Sequence, residues 1–350
     1  MKSIYVEINH KCNLQCITCY NSSFRLDDEM TVSDFNSILK QMNVSSYEYD
    51  LIISGGEPFL HSQFFDILAC IDNYTAFKTT TIVTNGTLLE RFMEDYPDYK
   101  RYRFQISLDG YRADGLIRGD THFALTTKAI RQLNAMCYTQ GILHMVINHL
   151  NIKDIEDFFE FSIQHHFLPT FTFAMANGNA KEHWDELKFT TYEKYKAIST
   201  IEKECKKNAS IINEYWPEVD LSKLVNKYTY ACPLEKNEEI ENILIKTNGS
   251  IQPCHALYDD LFSLGNIKNG HIMDDVLPTN PKFQGIQKII SARSQLLENG
   301  QCEKCFIKKE CHGGCPALGQ DAFGSYLMPD EDCTLRRMKA GLHVIQEVGV

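Results

Sequence analysis

The segment CNLQCITCY, residues 12–20, places three cysteines in one short loop directly after a strand-like start. The spacing of Cys12, Cys16 and Cys19 is C-x3-C-x2-C. Iron–sulfur clusters are held by cysteine thiolates, and three thiolates on a four-iron cube leave one iron open to a small molecule. Zinc and chance spacing are the alternatives, but a structural zinc site takes four ligands and no fourth cysteine lies near the loop. The loop therefore favours an iron–sulfur site.

Strand-like and helix-like segments alternate from residue 1 to about 180. The predicted strands are Ser3–Ile8, Asp50–Ser54, Thr79–Thr84, Arg103–Ser107, Leu143–Asn148 and Thr170–Ala174. Predicted helices between them include Val32–Met42, Gln63–Asp72 and Phe123–Cys137. A βαβα order implies a parallel sheet. Six such units predict an α/β fold with a partial (β/α)6 TIM-like barrel, whose active-site residues lie just after the carboxyl ends of the strands.

The remainder of the chain divides into two further segments. Residues 181–231 are rich in polar helix formers and predict a helical bridge. From Cys232 onward, cysteine and glycine punctuate the sequence and predict a third domain, residues 232–350. It contains a hairpin signal, Ile243–Lys246 and Ile251 joined by a Thr-Asn-Gly turn, and a helix-like stretch over 280–299. The predicted domains are therefore 1–180, 181–231 and 232–350.

Composition restricts the class of protein. The 350 residues carry a formal net charge of -11, which argues against non-specific binding to nucleic acid. The 13 cysteines are odd in number and clustered, and no signal peptide is present, so we predict a reducing, cytoplasmic compartment. No apolar run is long enough to span a bilayer, and no membrane partner is predicted.

Polar motifs follow several of the predicted strands. In Ser54-Gly55-Gly56-Glu57-Pro58, the two glycines permit close backbone approach, and the adjacent carboxylate suits an ammonium ligand. A plain strand-to-helix turn is the alternative. Other polar residues at or after strand ends are Asn85 in TNG, Ser107 and Asp109 in FQISLDG, Arg118 in IRGDTHF and Asn148 in VIN. Each alone could be a turn or surface residue, but their order on successive strands favours one shared site.

The cysteine loop and these motifs together resemble the radical S-adenosylmethionine (SAM) superfamily. The resemblance implies a [4Fe–4S] cluster on the three cysteines, with SAM bound to the open iron. It implies that the motif Gly55–Pro58 binds the SAM amino group and that Arg118 pairs with the SAM carboxylate. Contacts to the rest of SAM would come from Asn85, Ser107, Asp109 and Asn148. The family has an aromatic residue just before the third cysteine, where this chain has Thr18, so Tyr20 becomes the candidate adenine contact.

Seven cysteines lie between residues 232 and 333. Four form Cys302-x2-Cys305-x5-Cys311-x3-Cys315, preceded by Cys232 and Cys254 and followed by Cys333. Seven thiols are too many for one four-ligand metal site and nearly enough for two. Zinc is an alternative on spacing alone, and the N-terminal loop favours iron–sulfur.

The C-terminal pattern resembles the SPASM domain, found in enzymes that modify peptides and proteins. The resemblance implies two auxiliary iron–sulfur clusters of the [4Fe–4S] type. One would use Cys302, Cys305, Cys311 and Cys333, and the other would use Cys232, Cys254 and Cys315. Because the second lacks a fourth cysteine, its fourth iron is open or is bound by another group or by the substrate.

His255 follows Cys254 at a position where the sulfatase-maturing members of the family have an aspartate. A histidine there could accept a proton near neutral pH and is the candidate catalytic residue. A polar residue beside a cluster is the alternative. The difference argues against sulfatase maturation.

The resemblance also implies the reaction. SAM would be cleaved reductively to methionine and a 5′-deoxyadenosyl radical, which abstracts a hydrogen atom from the substrate. The auxiliary clusters would accept an electron or hold the domain together. The expected electron donor is a flavodoxin or ferredoxin.

The expected substrate is a ribosomally synthesised peptide that gains a crosslink or thioether or is epimerised. Because the predicted core begins at residue 3, we expect the bridge or a separate protein to recognise the leader peptide. One alternative is a sugar or aminocyclitol dehydrogenase or epimerase. Another is a non-catalytic iron–sulfur or zinc protein, against which the strand-end motifs argue, since an electron carrier needs no SAM site.

Overall fold

A nine-stranded sheet forms the centre of the fold. The structure is a computed structural model, and it describes residues 2–20, 22, 26–43, 48–220, 232, 234, 242–258, 260–277, 279–300 and 302–348. The strand order is β6-β5-β4-β3-β2-β1-β7-β8-β9. The strands are β1 Lys2–Asn9, β2 Tyr49–Gly55, β3 Phe77–Thr84, β4 Arg103–Ser107, β5 Ile142–Ile147, β6 Leu168–Phe173, β7 Asn242–Ile245, β8 Ser250–Gln252 and β9 Gly265–Asn266.

Helices cross between the first six strands, which all run parallel. Those of the first half are α1 Val32–Asn43, α2 Phe64–Ile71, α3 Leu89–Asp95, α4 Asp114–Arg118, α5 His122–Ala135 and α6 Ile155–Gln164. They are followed by α7 Asn179–Glu182, α8 Trp184–Leu187, α9 Thr191–Lys207, α10 Ala209–Tyr215, α11 Ile272–Asp275, α12 Pro281–Glu298, α13 Lys308–Cys311, α14 Pro316–Phe323 and α15 Cys333–Val348. The open sheet of six parallel βα units confirms the predicted fold class.

Alternation along β1 separates two environments. Ile4, Val6 and Ile8 are completely buried in the apolar core, as expected when successive strand residues point to opposite faces. Glu7 and Asn9 lie on the other face and are also completely buried, although both are polar. The second face of β1 is therefore a polar interior, and it is the face beside the cysteine loop.

The C-terminal hairpin belongs to the same sheet as the first six strands. β7 pairs in parallel with β1, with Tyr5 opposite Leu244 and Val6 opposite Ile245. β8 then runs antiparallel to β7, and β9 runs antiparallel to β8. The sequence predicts the hairpin but not its pairing with β1, because no local pattern encodes a partner more than 200 residues away.

The predicted bridge is helical over its described part. Helix α9 begins with a capping box formed by Thr190 and Glu193, which satisfies backbone N–H groups at the helix start. The buried Lys194 of α9 forms ion pairs with Glu331 at 2.8 Å and Asp332 at 2.6 Å. Residues 221–231 of the bridge lie outside the described residues. Over the described part of the chain, no helix has the length and apolar character needed to cross a bilayer.

Candidate active site

The cysteine loop leaves the end of β1 and is fixed to two other parts of the chain. The N–H of Ile17 donates to the carbonyl of Ile117 on α4, at 3.0 Å. Asn179, at the start of α7, donates through its side chain to the carbonyl of Cys16 and through its backbone to that of Cys19, both at 2.9 Å. These bonds order the loop backbone, so that one short segment presents all three thiols.

The three thiols interact electrostatically with one another. Burial raises the pKa of Cys12 to about 11 and that of Cys16 to about 12. Arg118 opposes this effect at Cys16, because its Nη1 lies 3.8 Å from the sulfur and a cation favours the thiolate. Metal binding requires deprotonated thiols and therefore releases their protons.

The donor set of the loop fits an iron–sulfur group. Within the described residues, no three His, Cys, Asp or Glu side chains gather closely enough to hold a single metal ion. The loop instead supplies three soft sulfur donors, with an arginine against one of them. This arrangement suits an iron–sulfur cube with three protein ligands.

The end of β2 approaches the loop more closely than a side chain would allow. A Cβ atom on Gly56 would lie 2.6 Å from the carbonyl oxygen of His10 and would collide with the carbonyl of Lys11. Gly55 has a φ of 147°, and a Cβ there would meet Asn9. The N–H of Gly56 donates to the carbonyl of Asn9 at 2.9 Å. Both glycines are therefore required for this close packing.

Glu57 uses both carboxylate oxygens inside the protein. Oε1 accepts from the hydroxyl of Thr84 and Oε2 from the N–H of Asn85, both at 2.8 Å. The side chain is completely buried, and this burial raises its pKa to about 7. The two oxygens therefore join β3 to the motif, and the contact of this carboxylate with an ammonium group stays a prediction. Pro58 follows as the first residue of a 3-10 turn, Pro58–Leu60.

Asn85 connects the end of β3 with the cysteine loop. Its side-chain amide donates to Oδ1 of Asn13 at 2.9 Å, and Asn13 donates to the hydroxyl of Thr87 at 2.9 Å. Its carbonyl accepts from Nε2 of His122 at 2.8 Å, while Nδ1 of His122 lies 2.6 Å from Asp114. The His122 ring therefore connects Asp114 with the carbonyl of Asn85. Sequence reasoning missed Asn13, Asp114 and His122, although the last two flank Arg118 in one short stretch.

Asp109 and Arg118 form a buried ion pair beside the loop. Nε of Arg118 lies 2.8 Å from Oδ2 of Asp109, and Oδ1 of Asp109 accepts from the N–H of Val146 at 2.8 Å. Burial raises the pKa of the Asp109 carboxyl, and Arg118 partly offsets the increase. Ser107 lies at the end of β4 and is partly exposed. If Arg118 binds SAM as predicted, the SAM carboxylate must compete with Asp109 for the guanidinium group.

Asn148 is occupied by its own turn. It is completely buried, its amide donates to the carbonyl of Val146, and its Oδ1 accepts from the N–H of Leu150. Its N–H donates to Oδ1 of Asn151 at 2.8 Å. The structure therefore gives Asn148 a turn-forming role, and its contact with SAM stays a prediction.

Tyr20 and His255 lie together on the β1 side of the loop. The hydroxyl of Tyr20 donates to Oε1 of Glu7 at 2.7 Å, so the phenol is held at β1. The His255 ring packs edge-on against Tyr5 with a centroid distance of 4.3 Å and lies 6.5 Å from the Tyr20 ring. The candidate adenine contact and the candidate proton acceptor therefore lie near each other on the same side of β1.

The seven C-terminal cysteines gather into two groups, which we call the four-cysteine set and the three-cysteine set. The four-cysteine set consists of Cys302, Cys305, Cys311 and Cys333, and the three-cysteine set consists of Cys232, Cys254 and Cys315. Electrostatic interactions connect the thiols within each set. Burial raises the pKa of Cys232 to about 12 and that of Cys315 to about 11. The resemblance to the SPASM domain implies the same two sets as cluster ligands, and that assignment stays a prediction.

Two buried arginines lie between these sets. Arg293 of α12 is 1% exposed and donates to the carbonyls of His312, Gly313, Gly314 and Met328. Arg336 donates to the sulfur of Cys311 at 3.6 Å and forms an ion pair with Asp330. Asp330 in turn accepts from the N–H of Cys315 at 2.7 Å. This charged layer connects one set with the other.

Comparisons with known proteins agree with this geometry. Residues 6–162 match the model of the Radical SAM superfamily. The mycofactocin maturase MftC of Mycobacterium ulcerans (strain Agy99) is 23% identical over 331 residues, which cover 89% of this chain and 82% of that protein. Native anSMEcpe with bound AdoMet superposes with a TM-score of 0.73 at 17% identity, over 99% of this chain and 98% of that chain. Streptococcus suis SuiB bound to precursor peptide SuiA superposes with a TM-score of 0.67 at 18% identity, over 95% of this chain and 75% of that chain.

Residues 6–162 are therefore a radical SAM domain, and this domain indicates a radical SAM enzyme. The structural likeness to anSMEcpe and SuiB extends over 94% or more of the chain and so includes the cysteine-rich C-terminal region. A radical SAM domain implies SAM and a [4Fe–4S] cluster as cofactors.

Proposed function

We propose that this chain modifies a ribosomally synthesised peptide, by forming a crosslink or thioether or by epimerisation. The observation that carries the proposal is the match to mycofactocin maturases, which extends over 89% of the chain rather than over the radical SAM domain alone. A protein of similar fold, SuiB, has been solved with a bound precursor peptide. A peptide substrate is therefore favoured over a sugar or aminocyclitol.

Cys12, Cys16 and Cys19 are the proposed ligands of the [4Fe–4S] cluster. When bound, the cluster and SAM supply a 5′-deoxyadenosyl radical that takes a hydrogen atom from the substrate. The protein's part is to fix the loop through Asn179 and Ile117. Arg118 stabilises negative charge on Cys16.

The proposed SAM contacts differ in kind. The motif Gly55–Pro58 is proposed to receive the SAM amino group, while its two glycines pack against the backbone of residues 9–11. Ser107 supplies a hydroxyl at the end of β4. Asp109 and Arg118 offer paired charges beside the cysteine loop. Asn85 holds the loop through Asn13 and so positions the ligands indirectly.

The four-cysteine and three-cysteine sets are proposed to hold two auxiliary iron–sulfur clusters. Their role would be to accept an electron from the substrate or to hold residues 232–350 together. The three-cysteine set leaves one position for a non-cysteine group or for substrate.

A flavodoxin or ferredoxin is the proposed electron donor. We propose the same division of the chain as the sequence indicates: core 1–180, bridge 181–231 and auxiliary domain 232–350.

Anaerobic incubation with SAM, reductant and a small peptide encoded beside the gene tests the function. Mass spectrometry should show a loss of two hydrogens for a crosslink or thioether. In deuterated water, an otherwise unchanged mass with added deuterium would indicate epimerisation. The matched control is a Cys12→Ala, Cys16→Ala, Cys19→Ala variant, which should leave the peptide unmodified.

Turnover of a sugar or aminocyclitol, with the peptide unchanged while 5′-deoxyadenosine accumulates, would contradict the proposed function. It would leave the radical SAM assignment intact.

A further inference from the structure

A buried carboxylate lies on the polar interior face of β1, close to the cysteine loop. Glu7 is 0% exposed. Its Oε1 accepts from the hydroxyl of Tyr20 at 2.7 Å, and its Oε2 accepts from the hydroxyl of Tyr258 at 2.9 Å. Neither the cluster ligands nor the strand-end motifs include this group.

Three separate parts of the chain build this site. Glu7 comes from β1, Tyr20 from the cysteine loop directly after Cys19, and Tyr258 from the segment after β8. The two phenol rings meet edge to face with a centroid distance of 6.1 Å. Lys246 lies with its Nζ 3.9 Å from the centre of the Tyr258 ring and donates to the Tyr258 carbonyl at 3.1 Å. The site therefore exists only when β7 and β8 are docked on β1.

Stability does not explain a carboxylate in this position. Burying a carboxylate costs several kcal/mol unless it is paired and hydrogen-bonded, and its two direct hydrogen bonds come from neutral phenols. Burial raises the pKa of Glu7, and the two phenols together with the charges of His10 and Lys246 partly offset the increase. Titratable groups held in this way concentrate at functional sites.

Tyr258, which donates a hydrogen bond to this carboxylate, belongs to the same segment as Cys254 of the three-cysteine set. It stands four residues after Cys254, whose sulfur accepts from the N–H of Ala256 at 3.4 Å. Tyr258 also interacts electrostatically with Cys19 of the N-terminal loop. The phenol thus interacts with the loop where the radical would arise, and it belongs to the segment that carries Cys254.

We propose that Glu7 is the final acceptor of the substrate proton. The proton reaches it through the phenol of Tyr258, while Tyr20 holds the Glu7 carboxylate in place. The inference rests on the proposed function. A substrate radical that is oxidised as it forms a bond loses one electron and one proton. An auxiliary iron–sulfur cluster, held by Cys232, Cys254 and Cys315, would supply the acceptor for the electron. The proton passes from a substrate O–H, S–H or N–H group to the Tyr258 oxygen, as the phenol proton moves to Glu7. Because it acts through Tyr258, Glu7 is a positioning residue.

The proton acceptor proposed here, Glu7, differs from the one that the sequence predicts. His255 is the residue that the sequence pattern places at the proton-accepting position. Its ring packs against Tyr5, whereas the buried carboxylate with two phenol partners lies two residues further along β1, at Glu7. The proton would therefore leave toward β1 rather than toward His255.

Glu7→Gln in the reconstituted holoenzyme tests the proposal. Glutamine keeps the size of the side chain but cannot take the proton. We expect iron content, the electron paramagnetic resonance signals of the clusters and 5′-deoxyadenosine formation to be retained. Modified peptide should fall by about 100-fold, the usual order of a lost acid–base group. The ratio of product to 5′-deoxyadenosine should fall at low pH in the wild type and stay low at every pH in Glu7→Gln.

Two further variants make the outcome decisive. Tyr258→Phe removes the proton path and should uncouple 5′-deoxyadenosine from product in the same way. Glu48→Gln alters an exposed carboxylate that pairs with Lys78 and should keep the wild-type ratio. A wild-type ratio in either Glu7→Gln or Tyr258→Phe overturns the proposal. So does a parallel loss of iron, 5′-deoxyadenosine and product in Glu7→Gln, which would indicate a structural role. If the wild type itself makes 5′-deoxyadenosine but no modified peptide, the proposed function fails and this inference falls with it.

Discussion

At the scale of single residues, the motif after β2 contains residues with two different structural roles, close backbone packing and side-chain hydrogen bonding. Gly55 and Gly56 allow backbone to meet backbone, and no other residue type would fit against His10 and Lys11. Glu57 acts within the protein by holding Thr84 and the start of the next turn. A sequence motif that resembles a ligand-binding signature can therefore contain residues whose task is to hold its neighbours.

Replacing Glu57 with Gln tests how the buried carboxyl makes the free energy of unfolding depend on pH. Folding raises its pKa from 4.5 to about 7, so the folded state binds the proton more tightly than the unfolded state. This contribution to stability is present below about pH 4.5 and is lost as the pH rises through about 7. Between about pH 5 and 8, the wild type should lose on the order of 3 kcal/mol of unfolding free energy that Glu57→Gln does not lose. Anaerobic urea unfolding at several pH values measures this, and parallel curves for the two proteins would refute it.

Gly56→Ala tests the close approach of β2 to the loop. The added Cβ would collide with the carbonyls of His10 and Lys11, so the backbone that carries Cys12 must move. We expect the purified variant to lose about four iron atoms per chain. Gly285→Ala on α12 is the matched control, because nothing lies within 4 Å of its Cβ, and it should retain iron. Full iron content in Gly56→Ala would disprove the packing argument.

At the scale of elements, α12 helps to hold the cysteine-rich region through a buried arginine. Its Arg293 satisfies four carbonyls of the segments that carry the cysteines. An unsatisfied buried carbonyl costs about 1–3 kcal/mol. The helix therefore orders those segments through hydrogen bonds as well as apolar contacts.

Arg293→Met should disrupt this region selectively. The variant leaves several buried carbonyls without donors, so the four-cysteine and three-cysteine sets lose their geometry. Iron should fall to about four atoms per chain, those of the N-terminal loop, as measured by metal analysis and Mössbauer spectroscopy. Arg91→Met, at an exposed arginine of α3, should keep all its iron. An unchanged iron content in Arg293→Met would count against this role.

Elements differ in how well the sequence predicts them. The first six strands are apolar runs that end at polar residues, so local pattern identifies each one. The pairing of β7 with β1 depends on tertiary packing between distant segments, which leaves no local trace. In the site, glycines and cysteines are recognisable because few residues can replace them. Asn13 and His122 look like ordinary polar residues, and only their positions in space reveal the network.

At the scale of the whole molecule, the cysteine-rich region and the parallel sheet form one structure. β7 covers the edge of β1, and Lys194 of α9 is bound by Glu331 and Asp332 before α15. Helix α9 also packs against α15. The site at Glu7 needs both parts, because Tyr258 belongs to one and Tyr20 to the other.

A chain cut after residue 231 should therefore not fold as an independent domain. It would expose the β1 edge and remove the packing of Ile243, Leu244 and Ile245. An exposed apolar edge promotes aggregation, so we expect the fragment to be mainly insoluble. A soluble monomer whose β1 amides are protected from hydrogen exchange as in the full chain would show that the sheet does not need β7.

The most direct test of the account is reductive cleavage of SAM by the anaerobically reconstituted enzyme. The wild type should form 5′-deoxyadenosine when supplied with SAM and reductant. The variant Cys12→Ala, Cys16→Ala, Cys19→Ala should form none while it keeps the iron of the C-terminal cysteines. Absence of 5′-deoxyadenosine from the iron-loaded wild type, or its formation by the triple variant, would contradict the assignment of the radical chemistry to this loop.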